Sequence, residues 1–202
     1  MTAIFRSTAP KAMVTLIAEF GFSREDAAAI LGNAGHESNG FATLQEIKPL
    51  VAGSRGGWGW FQWTGPRRRA FEAWAKAKKL DLSSYDANLG FLIVELRGTE
   101  KAAVAATKRA VGLQAKVEAF EKTFERAGIK HYPSRLKWAK LALEAHDEYV
   151  AKGGPKPPLA WNDASAITHN GVTLPKPVTD APQGFWAKLA AAIAAFFTPK
   201  AP

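Results

Sequence analysis

Met13, Leu16, Ile17 and Phe20 recur three and four residues apart, the spacing that lines one face of an α-helix. Pro10 suits a first helical position and Gly21 a helix stop, so the pattern predicts a helix between them. Ser23 stands before Arg24-Glu25-Asp26, an N-cap followed by acids in the first turn. The helix it opens runs through Ala27, Ile30 and Leu31 towards His36 and Glu37. Residues 38–63 lose the helical period and become rich in Gly and aromatic residues, which predicts a loop with a short hairpin. Pro66 then opens a helix carrying Ala70, Phe71, Trp74 and Ala77. Further helices are predicted over 86–97, 100–110, 112–127 and 134–151, the last capped by Ser134 after Pro133. The expected fold class is mainly α, with one small irregular lobe after the second helix. Beyond this domain, taken as residues 1–151, the stretch 152–183 is rich in Gly, Pro, Thr and Asn and reads as a linker or strap. Residues 184–202 form the expected C-terminal apolar helix.

Composition narrows the class of molecule without naming it. Of the 202 residues 47% are hydrophobic and 22% charged, which excludes a wholly disordered chain. Cys is absent, excluding a disulfide framework, a thiol nucleophile and any Cys-ligated metal. The net charge of +9 points to an anionic partner, with nucleic acid, anionic lipid and cell-wall polymer all eligible. Met1 to Phe22 holds no apolar run long enough for a secretory core, so the expectation is synthesis in the cytosol and delivery by other means. The segment Phe185 to Phe197 is apolar except for Lys188 and too short to span a bilayer comfortably. Two readings stay open for it: docking on the domain as one more helix, or lying in a membrane surface with Lys188 snorkelling.

Candidate chemistry gathers after the second helix. A carboxyl at a helix C-terminus among apolar neighbours is disfavoured as an anion by burial and dipole alike, which is how a general acid near neutral pH is made. Glu37 holds that position; its plainer reading is a solvated acid after a helix. The run Gly56-Gly57-Trp58-Gly59-Trp60-Phe61-Gln62-Trp63-Thr64-Gly65 combines sharp bends with flat rings. Sugar rings present apolar faces, so Trp58, Trp60 and Phe61, beside the polar Gln62 and Thr64, suit a polysaccharide groove. Some of these rings must instead fill the core of the lobe. Position 40 is Gly where a metal-binding His-Glu-x-x-His would need its second His. His131, His146 and His169 have no ligand spacing, so no metal and no cofactor is expected. Ser38 has no nucleophile-elbow context. Three consecutive arginines, Arg67 to Arg69, oppose the dipole of the helix they open and imply a specific salt bridge or ligand contact. Glu95, in mid-helix, reads as a buried hydrogen-bonding acid.

Taken in order, Gly32 to Ser38, Leu44 to Ile47 and Gly57 to Arg68 resemble the phage tail lysozyme and endolysin family. That family lies within the lysozyme-like group, with lytic transglycosylases and goose-type lysozymes. Glu37-Ser38 matches the Glu-Ser pair that ends a helix in the group, and Gly59 to Gln62 its Gly-x-x-Gln segment. The resemblance covers about residues 10–150 and implies a lysozyme-like helical domain that cuts peptidoglycan between N-acetylmuramic acid and N-acetylglucosamine. It implies Glu37 as the general acid and Ser38, Trp58, Trp60, Phe61, Gln62 and Thr64 as substrate-binding residues. In a hydrolase a second carboxylate is needed, and Glu46 is the candidate; its other reading is a salt bridge to Arg67 or Arg68. In a lytic transglycosylase Glu37 alone suffices, and the product ends in an anhydro ring. The chain is expected to act as a monomer, reaching the wall after release by a holin or from a virion. Two other classes stay open: a non-catalytic glycan-binding module, and a nucleic-acid binder suggested by charge alone, for which no motif speaks.

Overall fold

The Ser23 side chain accepts a hydrogen bond from the Asp26 amide, and the Asp26 carboxylate accepts one from the Ser23 amide. Two donors at this helix start are thereby satisfied, with Ser23 as the N-cap that the sequence predicts. The computed structural model describes residues 2–49, 53–155, 168–169 and 172–173. They fall in two units divided between Leu159 and Ala160. The first is helical: α1 (Thr2–Phe20), α2 (Arg24–Glu37), α3 (Gly65–Lys78), α4 (Tyr85–Arg97), α5 (Lys101–Arg109), α6 (Leu113–Phe120) and α7 (Tyr132–Ala151), with a π-helical turn at Glu121–Glu125 between the last two. Among the described residues no helix is long and apolar enough to cross a membrane.

Helix α2 is the axis of this unit, packed along α7, α6 and α1. Its Ala27, Ala28, Ile30, Leu31 and Ala34 are fully buried. Small residues let the backbones close up: a Cβ on Gly32 would lie 2.6 Å from the Cβ of Ala139 and 2.7 Å from the Arg135 carbonyl oxygen. That approach brings the side chains of α7 onto the last turn of α2, where Glu37 stands.

Three helix boundaries differ from the pattern's prediction. Helix α1 starts at Thr2, not at Pro10, which lies buried inside it. A proline there removes one backbone bond. The first two turns persist because Phe5 and Ala9 are fully buried, with the Phe5 ring 5.0 Å from that of Phe41 and 4.8 Å from that of Trp138. Arg6 adds ion pairs to Glu144 and Glu148 of α7. The helix expected over 112–127 ends as α at Phe120 and continues as the π turn, in which the Arg126 amide reaches back to the Glu121 carbonyl at 2.7 Å. Helix α7 begins at Tyr132, preceded by a left-handed His131. Ser134 does not cap it; its hydroxyl meets His36 Nδ1 at 2.9 Å.

The described residues of 38–63 form the expected irregular lobe, held by the single bridges Gln45–Trp58 and Trp58–Trp63. Gly59 is required at its bend. Its φ is +84°, and a Cβ would sit 2.7 Å from the Trp63 ring.

In the second unit Thr168–His169 (β1) and Val172–Thr173 (β2) pair antiparallel, Thr168 opposite Thr173. They fall in the stretch read as a linker. Between them in the sequence stands Asn170-Gly171, the dipeptide most favoured in two-residue hairpins. The rest of the linker beyond Pro155 and the whole of 184–202, including Phe185 to Phe197, lie outside the described residues.

Candidate active site

Ser38 ends α2. Its hydroxyl donates to the Ala34 carbonyl at 2.7 Å and accepts from the Phe41 amide at 3.0 Å. Asn39, Gly40 and Phe41 then take positive φ in succession and turn the chain into the lobe. Ser38 is fully buried, so its work is to stop the helix and leave Glu37 at the end, not to meet a substrate as the resemblance implied.

Glu37 keeps about a fifth of its side chain exposed, 21%. It is not the solitary carboxyl in an apolar pocket that the sequence suggested. Its Oε1 accepts from Arg135 Nη2 at 2.6 Å. Arg135 is 1% exposed and is held on three sides, donating also to Asn33 Oδ1 at 3.0 Å and to the Lys130 carbonyl at 2.8 Å. Asn33 in turn donates to the carbonyls of Ala29 and Val117. The carboxylate is therefore aimed by a rigid chain through α2, α6 and α7. His36, one residue earlier, is pushed down to about 4 by burial and by the nearby Arg135 and His131, so it is neutral at physiological pH.

Glu46 is tied into the lobe. Its amide donates to the Gly57 carbonyl at 2.9 Å, and its Oε2 accepts from the Gly57 amide at 2.7 Å. The salt bridge considered for it is made elsewhere: Arg67 pairs with Glu95 and Arg68 with Glu72. Glu46→Gln keeps an acceptor for Gly57. It is expected to retain activity in a turbidity assay on peptidoglycan, without the ~10²–10⁴-fold loss that follows removal of a general acid or base.

The aromatic run is mostly core. Trp60 and Phe61 are 3% and 2% exposed. Trp60 stacks on Phe41 at 4.3 Å, and Phe61 meets Phe124 at 5.0 Å. They brace the lobe against the helices instead of facing a sugar. Trp58 alone among the three aromatic candidates keeps exposed surface, lying under the Arg68 guanidinium at 5.6 Å. Gln62, at φ +46°, donates to the carbonyls of Thr43, Leu44 and Gly59; it too holds the lobe together. Thr64 is exposed ahead of α3 and makes no side-chain cap bond.

Two residues the sequence did not single out complete the site. Arg135 is one. The other is Glu125, the last residue of the π turn. It is partly exposed as a residue, yet its Oε1 is sealed from solvent and has no hydrogen-bond partner. Burial, then the charge of Glu37, hold its carboxyl well above the ordinary range, while Arg67 and Arg135 pull it down. Beside it Glu95 is buried as expected, accepting from Trp63 Nε1 at 2.7 Å and from both Nε and Nη2 of Arg67. Arg67 lies over the Phe124 ring at 4.5 Å. Glu125 lies in the stretch Ala119 to Arg126, which resembles a later helical segment of the phage family, but nothing in that stretch marks it as a site residue. Among the described residues no group of three His, Asp or Glu side chains is arranged to hold a metal ion.

The arrangement places an oriented, partly exposed carboxyl at a helix end with a fixed guanidinium behind it, and in the same charge cluster a second carboxyl that burial holds well above the ordinary range. No curated protein matches the chain. The sequence matches the phage tail lysozyme family over residues 7–145, from the first turns of α1 to the last turns of α7 and through every residue of this cluster. With that match covering most of its length, the chain belongs to the phage tail lysozyme family.

Proposed function

We propose that this protein cleaves peptidoglycan glycan strands between N-acetylmuramic acid and N-acetylglucosamine as a muramidase, with Glu37 as general acid. The family carries a peptidoglycan-degrading, lysozyme-like role. The observation that carries the finer reading is the placement of Glu37, partly open to solvent at the end of α2 with one oxygen engaged by buried Arg135.

The remaining oxygen is the one that would carry the proton. As the C1–O bond breaks, that proton passes to the glycosidic oxygen, and Glu37 becomes an anion facing a guanidinium already in place. The Arg135 contact is therefore stronger after transfer than before it, and an interaction that grows along the reaction lowers the barrier. Water then adds to C1, its proton leaving to a carboxylate, and the products end in a reducing sugar.

Mass spectrometry of muropeptides released from purified peptidoglycan tests this. The expected products carry reducing muramic acid. Products one water lighter would replace the reading with a transglycosylase, and reducing N-acetylglucosamine would move the scissile bond. Release of nothing from any wall would make the domain a glycan-binding module.

A further inference from the structure

Five charged side chains converge from five elements: Glu37 of α2, Arg67 of α3, Glu95 of α4, Glu125 of the π turn and Arg135 of α7. Both guanidiniums are committed, Arg135 to Glu37 and Arg67 to Glu95. The neighbouring charges are accounted for among themselves. Glu100 pairs with Arg126. Glu121, fully buried, accepts from Lys130, the Tyr132 hydroxyl and the Ala127 amide. His36 is neutral and His131 faces solvent. Three carboxyls thus share two cations, and the odd one is Glu125, whose Oε1 is sealed without a donor. Its surroundings are built: Phe124 next to it packs on Phe61 and carries Arg67, which also donates to the Phe124 carbonyl at 3.3 Å.

We infer that Glu125 is a positioning residue for Glu37, the pair of carboxyls retaining one proton within the cluster so that the acid is loaded when a sugar arrives. The inference rests on the reading of Glu37 as the acid. Two carboxyls that feel each other in a low-dielectric site do not both ionise readily, and they titrate as a pair. The first proton leaves easily because Arg135 and Arg67 are near. The second is retained to higher pH because its loss would leave three anions against two cations. On reaction the retained proton passes to the glycosidic oxygen and the pair is doubly ionised until the incoming water returns a proton.

The test is the pH dependence of kcat/KM on purified peptidoglycan for the wild type, Glu125→Gln and Glu125→Asp, with thermal melts of each. Glu125→Gln removes the like charge, so the alkaline limb should shift to lower pH by about one unit or more, with the rate on the acid side kept within a fewfold. Glu125→Asp should return the limb towards the wild-type position. The melts supply a second readout. The folded-state pKa of Glu125 is raised, so the stability tied to its proton is complete below the ordinary carboxyl value of 4.5 and is lost as pH rises through the folded value. The gap in melting temperature between Glu125→Gln and the wild type should therefore widen in favour of the variant from about pH 5 to pH 8. An alkaline limb that does not move overturns the proposal, as does a loss of rate equal at every pH. Neither result touches Glu37: the acid assignment fails only if Glu37→Gln stays active.

Discussion

Glu37→Gln is expected to lower kcat/KM on peptidoglycan by about 10²–10⁴-fold while the protein stays folded. Glutamine reproduces the shape of the side chain and its Oε1 still accepts from Arg135, but it has no proton to give. The charge of Arg135 then loses its direct partner. Glu125, relieved of the like charge of Glu37, ionises more easily and compensates part of that loss. The melting temperature should therefore fall only modestly while turnover collapses. Muropeptide release measured beside a circular-dichroism melt separates the two effects. Wild-type turnover by a folded Glu37→Gln variant would place the proton donor elsewhere.

Arg135→Ala should be the most damaging single substitution for the fold. It deletes a side chain that is 1% exposed and leaves Asn33 Oδ1, the Lys130 carbonyl and Glu37 Oε1 without their donor. Breaking a buried ion pair from one side costs roughly 3–5 kcal/mol, a large share of the 5–15 kcal/mol by which domains are usually stable. Urea unfolding followed by tryptophan fluorescence measures it directly. Arg135→Lys should recover little, because one ammonium cannot serve three acceptors in a fork. A loss below about 1 kcal/mol would mean the three contacts do not hold the end of α2 in place.

Features decided by neighbours in the chain were legible in the sequence. The capping of α2 by Ser23 and Asp26 needs only residues three apart, and Pro66 in the first turn of α3 needs only its own ring. The arginine cluster announced a pairing, because cations at a helix start demand anions, but not its partners: Arg67 and Arg68 meet Glu95 and Glu72 in place of Glu46. Pro10 misled because the turns before it are held by Phe5 against Trp138, a contact made across almost the whole domain. The aromatic lobe misled similarly. Trp60 and Phe61 sit in a run with no period, and their burial depends on Phe41 and Phe124. Glu37 was visible through its motif, whereas its guanidinium was not, since nothing around Arg135 in the sequence marks it as buried. Glu125 was hidden by the assumption of an unbroken α-helix over 112–127.

The π turn also has a meaning for the length of the chain. An α-helix advances about 100° per residue, and a π turn accommodates one residue more than an α turn. Were the same residues wound as an unbroken α-helix, Phe124 would come round towards the place Glu125 now fills. The ring beneath Arg67 and the carboxyl beside Glu37 would then compete for one slot. The surplus residue is what lets a single stretch of backbone serve the oily interior and the charged cluster at once.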